Sequence, residues 1–130
     1  MVGYAFPPFQ MQIERGKLRE FTRAIGDDNP AFQGDDPIIP PTFPTVFLFW
    51  AGEGLEGALK ALGVDIWNVL HGEQEYEYHG VLRVGDVITG RSRVESITEK
   101  KGMTFILIVT EYHNQADDLI LTETMTIIVR

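Results

Sequence analysis

Residues 40–63, PPTFPTVFLFWAGEGLEGALKALG, restrict the fold more than any other stretch of the chain. From Phe43 to Ala51 apolar side chains fall on every side of a helix: Phe43, Val46, Phe47, Leu48, Phe49, Trp50 and Ala51. A helix apolar all round is a buried helix, and this one falls well short of the about 20 apolar residues that span a bilayer. Pro40, Pro41 and Pro44 mark its entry, because the N–H that proline lacks goes unpaired in a first helical turn anyway. Thr42 is the predicted N-cap. Gly52 and Gly54 predict a break. Beyond it Leu55, Leu59 and Leu62 recur at helical spacing while Glu53, Glu56 and Lys60 face out, an amphipathic continuation. A short buried helix needs a wrapper.

The second half of the chain has the pattern of one. Glu73, Glu75, Glu77 and His79 alternate with Gln74, Tyr76 and Tyr78, which is strand periodicity. A turn-rich connection over residues 80–86 leads to a long strand over 87–99. Its apolar parity slips between Val94 and Ile97, which predicts a bulge. Residues 99–102, Glu-Lys-Lys-Gly, predict a hairpin turn. Residues 103–113 are apolar on both faces, with Phe105, Leu107 and Val109 opposed to Ile106, Ile108 and Tyr112, so they predict a central strand. After a turn at 114–118, the last strand puts Leu121, Met125, Ile127 and Val129 on one face and threonines on the other. Upstream, residues 9–13 predict a short strand or lead-in, and 14–25 a helix with Leu18, Phe21 and Ile25 on one face, stopped by Gly26. The expectation is α+β: a single hot-dog domain over residues 1–130, an antiparallel meander curled around one apolar helix.

Charge narrows the partners. A net charge of −8 argues against nucleic acid and anionic membrane surfaces, which both select basic faces. Without cysteine there is neither a disulfide nor a thiolate metal site. The first residues lack a charged region followed by an apolar core, so no signal peptide is expected, and a cytoplasmic location follows as the default.

The segment FTRAIGDDNPAF, residues 21–32, carries chemistry. It resembles the motif of MaoC-like (R)-specific enoyl hydratases and hydroxyacyl dehydratases: an aromatic residue, a helical spacer, Gly-Asp-x-Asn-Pro, one residue, then His. Gly26, Asp27, Asn29 and Pro30 match it. Downstream, PPTFPTVF, Leu70-His71-Gly72 with the strand to His79, Leu82-Arg83-Val84-Gly85-Asp86 and a last strand ending at Arg130 are similar to the fatty-acid-synthase-type branch. Small members of that branch are similar to the first subunit of heterodimeric (3R)-hydroxyacyl-thioester dehydratases.

The resemblance implies reversible addition of water to a 2-enoyl thioester by an Asp–His pair, with a backbone N–H at the start of the buried helix stabilising the thioester oxygen. It implies catalytic positions at Asp27 and Asn29, a substrate wall from Phe32, Pro41, Thr42, Phe43 and Phe47, and no metal or cofactor. The departure is Phe32, which stands at the His position and cannot transfer a proton. The loop from Gln33 to Ile39 is also short. In heterodimeric relatives the second subunit carries the working pair, and the first shapes the acyl tunnel.

Plainer readings stand beside these. Gly-Asp-Asp-Asn-Pro is also a helix-ending turn whose Asp and Asn bond nearby backbone. His71 is a substitute acid–base group or a surface histidine. Glu73, Glu75 and Glu77 are spaced for a solvated face rather than a metal cage. Phe43, Phe47, Phe49 and Trp50 are core, one or two of them lining the tunnel. The resulting expectation is an accessory subunit acting on an acyl thioester of coenzyme A or acyl carrier protein, as a homodimer or paired with a catalytic hot-dog subunit. The alternatives are a self-sufficient homodimeric hydratase using Asp27 with His71 or a water, a non-catalytic acyl-thioester binding module, and a thioesterase, whose carboxylate Glu53 or Glu56 would have to supply.

Overall fold

The computed structural model describes residues 1–130. Its elements run β1 (Phe9–Gln12), α1 (Arg15–Ala24), α2 (Thr45–Trp50), α3 (Gly54–Ala61), β2 (Val69–Tyr78), β3 (Val87–Lys100), β4 (Met103–His113) and β5 (Leu119–Val129), with short 3-10 turns at Pro30–Phe32 and Ile66–Asn68. The strands form one antiparallel sheet in the order β1-β3-β4-β5-β2. β4 is the central strand, as its two apolar faces require. No helix is long and apolar enough to cross a membrane.

The strands are not a simple meander. β2 pairs with β5 rather than with its neighbour β3, whose free edge is taken by β1, Phe9 lying opposite Gly90. The local pattern specifies a strand but not its partner, and here the connection over residues 80–86 carries the chain across the sheet. The expected bulge in β3 is present, with the register slipping between Val94 and Ser96. β3 and β4 are joined through Lys101 and Gly102, both at positive φ (54° and 76°), the twist that a tight hairpin demands.

The helix expected to be buried on all sides is shorter and only half buried. α2 has six residues, and Phe49 and Trp50 point to solvent at 55% and 69% exposure. With the sheet on one side only, the opposite flank of a single helix has nothing of this chain to pack against. Thr42 does not cap α2 either. The helix starts at Thr45 with Pro44 at the N-cap, no side chain caps it, and Thr42 contributes its carbonyl to the Thr45 N–H instead. The break is where the glycines place it, with Gly52 and Gly54 at φ of 57° and 68°.

The inner flank of α2 is the core. Phe43 and Phe47 are almost fully buried. Phe43 packs edge-on against Phe21 of α1 (5.5 Å) and against Phe47 (6.0 Å), and Phe47 meets Tyr112 of β4 (5.2 Å). Each such ring contributes about 1.5–3 kcal/mol by burial. A second cluster, Leu59, Val94, Ile106, Ile108, Met125 and Ile127, sits under α3.

Candidate functional site

The loop after α1 holds the matched motif. Gly26 has φ of 68°, closing the helix. The Asn29 N–H donates to Asp27 Oδ1 (2.9 Å), and the Ala31 N–H donates to Asn29 Oδ1 (3.0 Å), which caps the 3-10 turn carrying Phe32. Both family positions thus spend a side-chain oxygen on building the loop. Asp27, Asp28 and the half-buried Phe32 line an open cleft of about 590 Å³ with Arg15, Arg19 and Arg23 of α1. Arg15 ties the far side of the loop by donating to the carbonyls of Gly34 and Asp35.

His71 is not part of that cleft. It lies exposed on β2, 3.0 Å from Gln74 Oε1. His79 is exposed beside Thr122 Oγ1 (3.0 Å), and Glu73, Glu75 and Glu77 face solvent. Pro41 and Thr42 are exposed, and the Pro41 carbonyl accepts from the Tyr78 hydroxyl (2.7 Å). Burial pushes the Tyr78 hydroxyl up to about 12, so it remains a donor across the neutral range. Phe43 belongs to the packed core and is absent from the walls of both the cleft and the cavity described next.

The backbone donors at the start of α2 are already engaged. The N–H groups of Phe43, Thr45, Val46 and Phe47 donate to the carbonyls of Pro40, Thr42, Phe43 and Pro44 at 2.9–3.1 Å. All four bonds span three residues, the tight spacing of turns, and Pro40, Pro41 and Pro44 have no N–H groups of their own to offer there. A thioester oxygen would have to compete with those carbonyls for the same donors.

A second recess lies between the α2–α3 break, the segment from Phe6 to Phe9 and the concave face of the sheet. This cavity measures about 200 Å³. Phe47, Leu48, Ala51, Ile108 and Met125 are among its walls, and Glu53 borders it from the break. Of the sequence-derived substrate residues, Phe47 lines it.

Glu123 of β5 also lines this cavity and is only 3% exposed. Its Oε1 accepts from the Tyr112 hydroxyl (2.8 Å) and its Oε2 from Gln74 Nε2 (2.6 Å). Tyr76, directly opposite Glu123 in the β2–β5 register, shares its hydroxyl with Thr45 Oγ1 at 2.8 Å. No cation pairs with Glu123, as both ion pairs of the chain lie elsewhere. Desolvation by burial pushes the carboxyl above its ordinary value, and the bonds from Tyr112 and Gln74 counter only part of that. The Tyr112 hydroxyl is pushed up as well, by burial and by the neighbouring Glu123. The sequence reading missed Glu123. The available signal was a charged residue in the gap between Leu121 and Met125 on the apolar parity of the last strand.

Residues 1–123 match the protein family described as FAS1-like, dehydratase domain region. A UPF0336 protein of Streptomyces coelicolor is 33% identical, over 100% of this chain and 93% of its own length. A UPF0336 protein of Thermobifida fusca is 32% identical, over 95% and 86%. Among solved structures, a chain of the C-terminally truncated HadBC (3R-hydroxyacyl-ACP dehydratase) complex of Mycobacterium tuberculosis superposes with a TM-score of 0.78 at 22% identity, covering 98% of this chain and 96% of that one. The R-hydratase PhaJ1 of Pseudomonas aeruginosa superposes at 0.70 with 17% identity, covering 99% and 81%. These likenesses establish the hot-dog fold expected from the strand pattern.

Proposed function

Because the chain belongs to the FAS1-like dehydratase-domain family, we propose that it is the accessory, tunnel-shaping subunit of an (R)-specific enoyl-thioester hydratase or 3-hydroxyacyl-thioester dehydratase. The carrying observation is Phe32 at the position of the acid–base histidine. Two features of the geometry support the same division of labour. Asp27 and Asn29 use their side chains to shape a loop, and the N–H groups at the start of α2 are taken by carbonyls. What the chain offers an acyl thioester is a recess, not a proton-transfer pair. In this reading a second hot-dog subunit, with its own Asp and His, holds and activates the water, while this chain receives the acyl tail in the cavity beside Phe47. The HadBC structure is a complex, which supports pairing of this kind. The pair would work in the cytoplasm on a coenzyme A or carrier-protein thioester.

The test is hydration of crotonyl-CoA by the purified chain, alone and mixed with a partner carrying an intact Gly-Asp-x-Asn-Pro-x-His motif. Turnover only in the mixture is expected. Full turnover by the chain alone would overturn the accessory role and return attention to Asp27 and His71 acting across a homodimer.

A further inference from the structure

Glu123 is an expensive residue for the fold. A carboxyl buried at 3% exposure without a cation costs free energy, and an apolar side chain of similar volume would fill the same inward position. Its neighbours on that parity, Leu121 and Met125, are such side chains. Tyr112 and Gln74 hold it in place, and it lines a cavity otherwise walled largely by Phe6, Phe9, Phe47, Leu48, Ile108 and Met125. The other hydroxyls at that wall, those of Ser92 and Thr110, are paired with each other at 2.7 Å. Glu53 borders the same cavity but is exposed at the break, and the Tyr112 hydroxyl is bonded to Glu123, so the carboxyl marks the one buried charged group in a largely apolar recess.

We propose that this recess takes an acyl tail that carries a hydroxyl group, which Glu123 recognises. The inference rests on the acyl-thioester reading and names the substrate class within it. A hydroxyl fits because it both donates and accepts. It can donate to an ionised Glu123, whose two oxygens have further lone pairs, and accept from a protonated one. An ammonium group would need the ionised form, which the desolvated site disfavours. A plain alkyl tail would leave the polar point without a new partner and strip it of any water. Taking a methylene as about the size of a water, about 30 Å³, the cavity of about 200 Å³ holds a tail of medium length.

Titration calorimetry of the purified chain with octanoyl-pantetheine and 8-hydroxyoctanoyl-pantetheine tests this. The wild-type chain is expected to bind the hydroxylated thioester about three- to tenfold more tightly, the worth of one net hydrogen bond. Glu123→Met is expected to erase or reverse that preference. Should that variant not fold, Glu123→Asp, which draws the carboxyl back toward the strand, carries the test, and an unchanged preference in it overturns the proposal. Equal or tighter binding of octanoyl-pantetheine by the wild-type chain overturns the hydroxyl assignment and leaves the acyl-thioester reading standing. Binding of neither thioester overturns both.

Discussion

Glu123 and Phe32 depart from their local patterns in opposite directions. Glu123 brings charge to an apolar parity, and Phe32 brings an apolar ring to the position where the resembled motif has its histidine. The raised carboxyl of Glu123 has a thermodynamic consequence. Its folded-state value lies above its unfolded one, so the native state holds the proton over a window where the unfolded chain has released it. Its contribution to stability is full below the unfolded value, about 4.5, and is lost as pH rises through the raised folded value. The wild-type chain should therefore lose stability relative to Glu123→Gln as pH climbs from about 4 toward neutrality, at up to about 1.4 kcal/mol per pH unit where the slope is steepest. Urea midpoints of the two proteins across that range measure it, and parallel curves would refute it. Phe32 supports a second prediction. A histidine there restores the proton carrier but not the free backbone donors, which remain bonded within the turns before α2. Losing one such donor elsewhere costs about 10²–10³ in rate. If the proposed pair hydrates crotonyl-CoA, Phe32→His alone should therefore stay below about a hundredth of that pair's rate in the same assay.

The break between α2 and α3 shapes both the helix pair and the cavity beneath it. Gly54 has φ of 68°, and a Cβ there would sit 2.8 Å from the Phe49 carbonyl oxygen. That neighbour is backbone and cannot swing away. Gly54→Ala should cost about 1–3 kcal/mol and, by moving the break that walls the cavity, weaken the proposed acyl-thioester binding in the same protein. Thermal melts and calorimetry read the two effects, and a variant as stable as wild type would show that the break is not strained. The break was legible because glycine is the residue that takes positive φ without strain. The strands were legible for a similar reason: alternation and the parity slip in β3 are local properties. The pairing of β2 with β5 was not, since it depends on which edge is free once β1 and β4 occupy β3. The site followed the same rule. The motif at Gly26 to Phe32 could be read from spacing, whereas the assembly of Glu123, Gln74, Tyr76, Tyr112 and Thr45 needs three strands and a helix to meet. Apolarity around α2 overstated its burial because the pattern does not say whether the covering surface comes from the same chain.

That distinction matters for the molecule as a whole. A folded monomer of 14.7 kDa is expected to expose about 6,900 Å². This chain exposes 7844 Å², about 900 Å² more, close to the about 800 Å² that one partner contributes to a standard interface. The excess includes large apolar side chains: Trp67 at 84%, Trp50 at 69%, Ile38 at 62% and Val81 at 61%. Scattered exposed apolar groups are ordinary on a monomer, but β2 also ends the sheet as an edge strand of ten residues with no proline, paired with β5 on one side and open on the other. A long open edge that is not covered invites pairing with another chain. Charge works against indiscriminate self-association, since like molecules at −8 repel at low salt. The two tendencies together favour one defined partner over open-ended growth. Sedimentation equilibrium at micromolar concentration should return about twice 14.7 kDa for the chain alone, and a one-to-one complex once a catalytic hot-dog partner is added, with the complex melting higher because binding stabilises the folded state. A chain that sediments as a monomer and leaves the partner's melting temperature unchanged would mean that the surplus surface serves no pairing. The proposed acyl site would then have to act in this chain by itself.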